Sequence, residues 1–264
     1  MDNMPAIPEY EYKGLIAQAW DVLRGDTSNW DDRFFYLKII HKYGQPALDV
    51  GCGTGRLLLD YLAQGVDIDG VDNSPDMLAV CRHKAKALGL DPALYEQYME
   101  TMALPRHYGT ILIPSSTLQL VIEPTRVAQA LEQVYAQLLP GGVVAASVMA
   151  LWKTGDPLDS QWEQTAVRSE DGAKFRRAVR SRYEPPIECE HTEVVYQLIV
   201  EGQVVSEEVH RRSPATRSYT QAQARAVFAG AGFSQIDLNS GFTFEPAKPD
   251  DTLFVVVAQK ANQP

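Results

Sequence analysis

Two acidic residues and a group of glycines, placed after two short apolar runs, are the residues of this sequence best suited to bind a ligand. The segment LDVGCGTGR (48–56) contains Asp49 near the end of the first run, and a second run, VDIDGVD (66–72), ends at Asp72. The turn after the first run holds Gly51, Gly53 and Gly55. A strand that leads through such a turn into a helix brings backbone N–H groups close to a ligand, because glycine has no Cβ to hold the ligand away.

Asp72 is placed to bind the ribose of a ligand that contains adenosine. At the end of the second strand of a doubly wound sheet, one carboxylate can accept hydrogen bonds from both ribose hydroxyls. The spacing G-C-G-T-G differs from the G-x-G-x-x-G of nicotinamide-binding turns, since one residue separates the second and third glycines. Asp49 would repel a pyrophosphate, whereas it suits a ligand that carries an amino group and a sulfonium.

The alternation of strands and helices predicts the sheet that positions these residues. Apolar runs and helical periodicity alternate through residue 150, which indicates an α/β fold with a Rossmann-like, doubly wound parallel sheet. Ser74 and Pro75 are a helix cap and a first helical residue, so a helix is predicted to follow Asp72. The last two strands, 234–241 and 251–260, have no helix between them, which predicts an antiparallel last strand.

An antiparallel β insertion interrupts this pattern. Three strands without intervening helices are predicted at 174–183, 191–200 and 203–212. If Glu201-Gly202 is a two-residue turn, His210 lies opposite Glu193. The predicted domains are a Rossmann-like domain (1–150 and 214–264), whose residues 1–44 form a helical lid, and a β-rich insertion (151–213) that roofs the substrate site.

Composition narrows the classes of partner. The chain has 264 residues and a net charge of −10, which argues against nucleic-acid binding. The three cysteines form no C-x-x-C pair, and the acidic, polar start of the sequence lacks the features of a signal peptide, so a cytoplasmic location is expected. No apolar run reaches the ~18 residues of a membrane helix. No His, Cys, Asp or Glu cluster has metal-ligand spacing. The expected partner is a small molecule, and a homodimer is left open.

Three motifs together resemble those of class I S-adenosylmethionine (SAM) dependent methyltransferases. They are LDVGCGTGR, VDNSPDML (71–78) and LLPGGVV (138–144), and the resemblance covers residues 12–150. It implies SAM as the cofactor, S-adenosylhomocysteine as its product, and methyl transfer to a nitrogen or oxygen of a small molecule by in-line displacement. The residues it implies for SAM binding are Tyr12, Trp20, Trp30, Asp49, Gly51, Cys52, Gly53, Gly55, Asp72, Asn73, Met77, Met99, Glu100 and Ser115.

Two of these assignments carry a specific expectation. Where the family often has an acid after the third strand, this sequence has Tyr98, so the Met99 backbone and Glu100 are the candidates beside the adenine. Trp30 is expected to face the sulfonium through a cation–π contact.

The acceptor side is less constrained by motifs. Ser116, Gln119, Trp152 and Arg180 are the candidate substrate-binding residues, and His210 is the candidate general base for a hydroxyl acceptor. The basic face of 174–182, to which Arg180 belongs, has two interpretations: a clamp for an anionic substrate, or a solvated edge strand protected by charge. Two other functions stay open, a nicotinamide-dependent oxidoreductase and a SAM-binding protein without catalytic activity.

Overall fold

The computed structural model describes residues 12–262, so residues 1–11 of the predicted lid lie outside the described residues. The helices are α1 (Leu15–Arg24), α2 (Asp31–Tyr43), α3 (Leu58–Ala63), α4 (Pro75–Leu88), α5 (Pro124–Gln137) and α6 (Gln221–Gly230). The strands are β1 (Ala47–Val50), β2 (Ile68–Asp72), β3 (Leu94–Glu96), β4 (Tyr108–Ile113), β5 (Leu138–Met149), β6 (Asp159–Val167), β7 (Lys174–Glu184), β8 (Cys189–Val200), β9 (Gln203–Arg217), β10 (Gln235–Ser240) and β11 (Leu253–Gln259).

A seven-stranded sheet in the order β10-β11-β5-β4-β1-β2-β3 forms the centre of the fold. Strand β1 pairs in parallel with both β2 and β4, and β11 is antiparallel to β5 and β10. The predicted Rossmann-like sheet with an antiparallel last strand is therefore confirmed. The strand order reverses at β1, and the crevice at the carboxyl ends of β1 and β4 is where such sheets bind ligands.

Local sequence explains the elements around this crevice. All residues of β1 and β4 are buried, as expected for apolar strands covered by helices on both faces. Helix α4 begins where the Ser74 hydroxyl accepts a hydrogen bond from Met77 N, and it ends at Gly89, which has a φ of 68°. The helix predicted after Asp72 is thus present, and its start fixes the carboxylate of Asp72 beside the glycine turn.

The insertion is a separate antiparallel sheet in the order β6-β7-β8-β9. The sequence predicted three of its strands and missed β6, because most side chains of β6 are exposed and its hydrophobic alternation is weak. Strand β9 also continues to Arg217, beyond the predicted boundary at residue 213. Strand β7 lies between β6 and β8, so the edge-strand interpretation of its basic face is wrong.

A β-bulge changes the predicted register of the β8–β9 hairpin. The pair Val200↔Gln203 follows from the predicted turn, but β9 carries an extra residue between Val204 and Ser206. His210 therefore faces Val194, and the prediction that it lies opposite Glu193 is wrong. A shift of one residue moves a side chain to the other face of a strand, so His210 lies on the inner face of the insertion.

Helix α1 lies between the insertion and the central domain. Its apolar side chains pack with Phe175 and Tyr196 of the insertion and with Met77 of α4. Its first turn is held by two carboxylates: Gly14 N donates to Asp76 (2.7 Å) and Leu15 N donates to Glu208 (3.0 Å). No helix of residues 12–262 is long and apolar enough to cross a bilayer.

Candidate active site

A cavity at the carboxyl ends of β1, β2 and β4, beside α1, contains most of the residues expected to bind the cofactor. Those that line it are Tyr12, Trp20, Asp49, Gly51, Cys52, Gly53, Asp72, Asn73, Met77, Met99 and Ser115. Other lining residues were missed by the sequence analysis: Arg24, Val50, Thr54, Arg56, Leu57, Val71, Gln97, Pro114, Thr117 and Leu120.

The glycine turn forms one wall of the cavity. Gly51 has a φ of 72°, and a Cβ there would lie 2.5 Å from Cγ2 of Thr117. This close approach and the positive φ both require glycine. Glycine is required at position 55 for a different reason: a Cβ there would lie 2.6 Å from Sγ of Cys81 in α4. Gly55 packs the turn against α4 and does not line the cavity, which corrects its expected contact with the cofactor.

The carboxylate of Asp72 is fixed by two backbone donors. Gly53 N donates to Oδ2 and Ser74 N donates to Oδ1, both at 2.8 Å. Burial raises the pKa of Asp72, although these two hydrogen bonds oppose the rise. Each oxygen keeps a further lone pair, so the carboxylate can still accept two hydroxyl groups of a ligand.

Asp49 is a buried carboxylate with an incomplete set of partners. Its side chain is 1% exposed, and among the described residues its Oδ1 has no hydrogen-bond partner. The pKa of Asp49 is raised to about 7, mainly by burial. The Arg56 guanidinium opposes this rise, and the nearby Asp72 carboxylate adds to it. A buried carboxylate oxygen that has no partner is costly unless a cation or a donor binds it. The site therefore favours a ligand with an ammonium group at this position.

Two arginines, Arg24 and Arg56, also line the cavity and add positive charge to its wall. Arg56 is held by Asp32, with its Nη1 3.0 Å from Oδ1. Arg24 makes ring contacts with Trp20 and Trp30, at 4.4 and 5.7 Å from the two ring centroids, and has no ion pair among the described residues. Burial and the nearby Arg56 lower the pKa of Arg24. Arg24 follows Trp20 by four positions on α1, and this helical spacing is the signal that could have placed it in the cavity.

Two further residues expected near the cofactor, Trp30 and Glu100, lie outside the cavity lining. Trp30 is 40% exposed, and Arg56 and Arg24 contact its ring, so the cations beside it are arginines rather than the expected sulfonium. Glu100 is buried in the short 3₁₀ turn Met99–Thr101 and does not reach the cavity. Gln97 lines the cavity instead, with its Oε1 accepting a hydrogen bond from Ala103 N at 2.8 Å.

Gln119 is a structural clamp and not the expected substrate-binding residue. Its side chain is completely buried. Its Nε2 donates to the carbonyls of Met149 (2.8 Å) and Arg217 (2.6 Å), and its Oε1 accepts from Met149 N (2.7 Å). The amide of Gln119 therefore links the last residue of β5, Met149, to the last residue of β9, Arg217. Ser116 also lies outside the cavity lining, and its N–H is bonded to Oγ of Ser147 at 3.0 Å.

Gln119→Ala should therefore destabilise the fold without a selective effect on ligand binding. We expect a loss of about 2–4 kcal/mol in the free energy of unfolding, because three partly buried backbone groups lose their partner. Urea unfolding measures this loss, and Gln64→Ala is the matched control, since Gln64 bonds to Asp60 at the surface. Unchanged stability with a raised KM for the acceptor would contradict the structural role.

The remaining acceptor-side candidates do not line the cavity either. Trp152 stacks on Tyr183, with ring centroids 5.4 Å apart, in a separate groove near the start of α6. Arg180 lies on the outer face of the insertion and is 77% exposed, which removes it from the cofactor cavity. Among residues 12–262, none of the insertion lines this cavity, although Arg212 of β9 contacts the carbonyl of Leu120, which does. His210 is bonded through Nε2 to Oε2 of Glu208 at 3.1 Å, and its catalytic role stays a prediction.

Comparisons with known proteins identify a methyltransferase domain in this chain. Residues 47–142 match the family described as "Methyltransferase domain". A dTDP-3-amino-3,6-dideoxy-alpha-D-glucopyranose N,N-dimethyltransferase from Streptomyces fradiae is 25% identical over 232 residues, which span 86% of this chain and 87% of the relative.

Solved structures share the fold over nearly the whole chain. A SAM-dependent methyltransferase from Clostridium acetobutylicum superimposes with a TM-score of 0.75 at 15% identity, over 93% of this chain and 97% of the other. A sugar N-methyltransferase from Streptoalloteichus sp. gives a TM-score of 0.71 at 19% identity, over 98% and 100%. Residues 47–142 are therefore a methyltransferase domain, and the chain has the fold of class I SAM-dependent methyltransferases, as the sequence motifs indicated; none of these relatives supports the nicotinamide alternative.

Proposed function

We propose that this protein transfers the methyl group of SAM to a nitrogen atom of a small amine, of the amino-sugar type. The observation that carries the proposal is the pair of carboxylates in the cavity: Oδ1 of Asp49 has no hydrogen-bond partner among the described residues, and Asp72 is oriented to accept two hydroxyls. The amine acceptor is supported by the Streptomyces fradiae and Streptoalloteichus relatives, whose names state N-methylation of sugars.

The charges of the cavity match the charges of SAM. Asp49 would bind its ammonium group, and Arg24 would bind its carboxylate, because a half-buried guanidinium that has no ion pair within residues 12–262 is complementary to an anion. Asp72 would accept the two ribose hydroxyls. Asn73, Met77 and Met99 would then lie beside the adenine.

The chain's own contribution to the reaction is alignment and exclusion of water. When bound, SAM supplies an electrophilic methyl group on a sulfonium, and the acceptor attacks it in line. Helix α1 covers the cavity and is tied to the glycine turn by Asp21, which accepts a hydrogen bond from Thr54 Oγ1 (2.7 Å) and pairs with Lys84 (2.8 Å). An amine reacts in its neutral form, so no buried base is required in the cavity for this acceptor.

Calorimetric titration of wild type and Asp72→Ala tests the cofactor site. SAM and S-adenosylhomocysteine should bind wild type in the micromolar range, and NAD should not bind. The variant should bind both at least about 100-fold more weakly, since it loses two charge-assisted hydrogen bonds to the ribose.

Glu96→Ala is the control for this titration, because Glu96 ends the neighbouring strand β3 on the surface. NAD binding to wild type, or equal SAM affinities for wild type and Asp72→Ala, would overturn the assignment. SAM binding without methyl transfer to any amine would instead support a SAM-binding protein that lacks activity.

We also infer a cytoplasmic location, which the three buried free cysteines fit, since the cytoplasm keeps thiols reduced.

A further inference from the structure

The indole ring of Trp30 lies beside the two arginines of the cofactor cavity, although Trp30 itself does not line that cavity. Its ring centroid is 5.7 Å from Cζ of Arg24 and 5.1 Å from Cζ of Arg56. Trp30 directly precedes α2, is 40% exposed and belongs to none of the apolar clusters that form the core of residues 12–262. Burial in the core therefore does not explain a tryptophan at this position.

The two guanidinium groups beside this ring differ in how their charges are balanced. Arg56 pairs with Asp32, with its Nη1 3.0 Å from Oδ1, and its side chain is only 12% exposed. Arg24 has no ion pair within residues 12–262, and its Cζ lies 4.4 Å from the centroid of the Trp20 ring. Burial lowers the pKa of Arg24, and the nearby charge of Arg56 lowers it further. Arg24 is therefore the guanidinium that can accept an anionic ligand, but it lies beside a charge that repels it.

An aromatic ring in this place stabilises the Arg24 guanidinium and limits its movement. The face of an indole carries partial negative charge, which attracts a cation within about 6 Å of the ring centroid. An arginine side chain has many rotamers in solvent, whereas a planar guanidinium that contacts aromatic rings is restricted to few directions. Because this ordering takes place before a ligand binds, the ligand does not have to supply its entropic cost.

We propose that Trp30 is a positioning residue for the cofactor, which holds Arg24 in the direction that binds the carboxylate of SAM. The inference rests on the proposed function, and it extends that function to a residue outside the cavity lining. SAM and S-adenosylhomocysteine both carry this carboxylate, so Trp30 stabilises the bound cofactor and the bound product equally. A ring that faced the sulfonium would stabilise SAM alone.

Calorimetric titration with three ligands distinguishes these roles of the Trp30 ring. SAM has the sulfonium and the carboxylate, S-adenosylhomocysteine has the carboxylate without the sulfonium, and 5′-methylthioadenosine has neither. Trp30→Ala should weaken binding of SAM and of S-adenosylhomocysteine by about tenfold each and leave binding of methylthioadenosine within about twofold. Trp30→Phe keeps an aromatic face and should restore most of both affinities. Trp30→Leu keeps apolar contacts without that face and should behave like Trp30→Ala, so the test does not depend on one truncation.

A double substitution tests whether Trp30 acts through Arg24. In the Arg24→Gln background, Trp30→Ala should weaken SAM binding by less than about twofold further, because the side chain that the ring positions is already absent.

Trp162→Ala is the matched control for loss of an exposed tryptophan beside an arginine. Trp162 is 44% exposed, and Cζ of Arg177 lies 4.5 Å from its ring centroid, but neither residue lines the cofactor cavity. This variant should bind all three ligands within about twofold of wild type.

Four results would overturn the positioning role while the proposed function stands. Unchanged affinities in Trp30→Ala would show that the ring does not affect the site, and a loss of SAM binding alone would show that it faces the sulfonium. An equal loss of all three ligands in Trp30→Leu would show that Trp30 only supports the lid. Additive losses in the double variant would show that it acts independently of Arg24. Failure of wild type to bind both SAM and S-adenosylhomocysteine would instead overturn the proposed function itself.

Discussion

Asp49→Asn should weaken SAM binding by about 100-fold or more and should at the same time make the ligand-free protein more stable at pH 8. The loss of affinity follows from removing the charge that faces the ammonium group of SAM, since hydrogen bonds between charged groups in a buried site contribute about 1.5–3 kcal/mol each. The gain in stability follows from removing a buried carboxylate whose Oδ1 has no partner among the described residues.

The pH dependence of stability has a definite sign. Burial raises the pKa of Asp49 from 3.8 to about 7, so between these values the folded protein holds a proton that the unfolded chain has released. The contribution of Asp49 to stability therefore falls as pH rises from 3.8 to 7, by roughly 4 kcal/mol in total. Urea unfolding at pH 5 and pH 8 should show a larger advantage of Asp49→Asn over wild type at pH 8.

Asp69 supplies the control for this experiment. It is also buried in the central sheet, but it accepts hydrogen bonds from Arg106 Nε (2.8 Å) and from the Tyr108 hydroxyl (2.9 Å). Asp69→Asn should destabilise the protein at both pH values, because it leaves the Arg106 charge without its buried partner. Parallel pH profiles of wild type and Asp49→Asn would show that Asp49 is not the group responsible.

Arg24→Gln should weaken binding of SAM and S-adenosylhomocysteine by about 30- to 100-fold while leaving binding of 5′-methylthioadenosine unchanged. Methylthioadenosine has the adenosine and the sulfur of SAM but lacks the ammonium and the carboxylate. A guanidinium that binds the carboxylate therefore affects only the first two ligands, by the 2–3 kcal/mol or so of a buried charge-assisted pair. Competition calorimetry with the three ligands measures the difference.

The same ligand series distinguishes Arg24 from the other charged groups of the cavity. Asp49→Asn should behave like Arg24→Gln, whereas Asp72→Ala should lose methylthioadenosine as well, because the ribose is present in all three ligands. Arg33→Gln is the control for a lost charge on the adjacent helix, since Arg33 pairs with Asp60 away from the cavity. An equal loss of all three ligands in Arg24→Gln would mean that Arg24 maintains the lid rather than binding the carboxylate.

The sequence by itself determined the features that depend on a few consecutive residues. The glycine turn, the helix that begins after Ser74 and the buried strands β1 and β4 follow from local backbone chemistry and apolar periodicity. Because two consecutive parallel strands end at the same edge of a sheet, the pairing of Asp49 with Asp72 in one cavity was also predictable. The antiparallel last strand followed from the missing helix before it.

Only the tertiary structure decided the features that depend on contacts between distant segments. The bulge near Val205 moved His210 to the inner face, and no local pattern marks such a shift because one extra residue changes the partners of the rest of the strand. The sequence predicted that Gln119 binds the substrate, whereas in the structure β5 and β9 supply backbone partners for its amide. Arg24 and Arg212 likewise acquire their positions from helix and sheet packing, because the direction of a long side chain is set by what surrounds it and not by its neighbours in sequence.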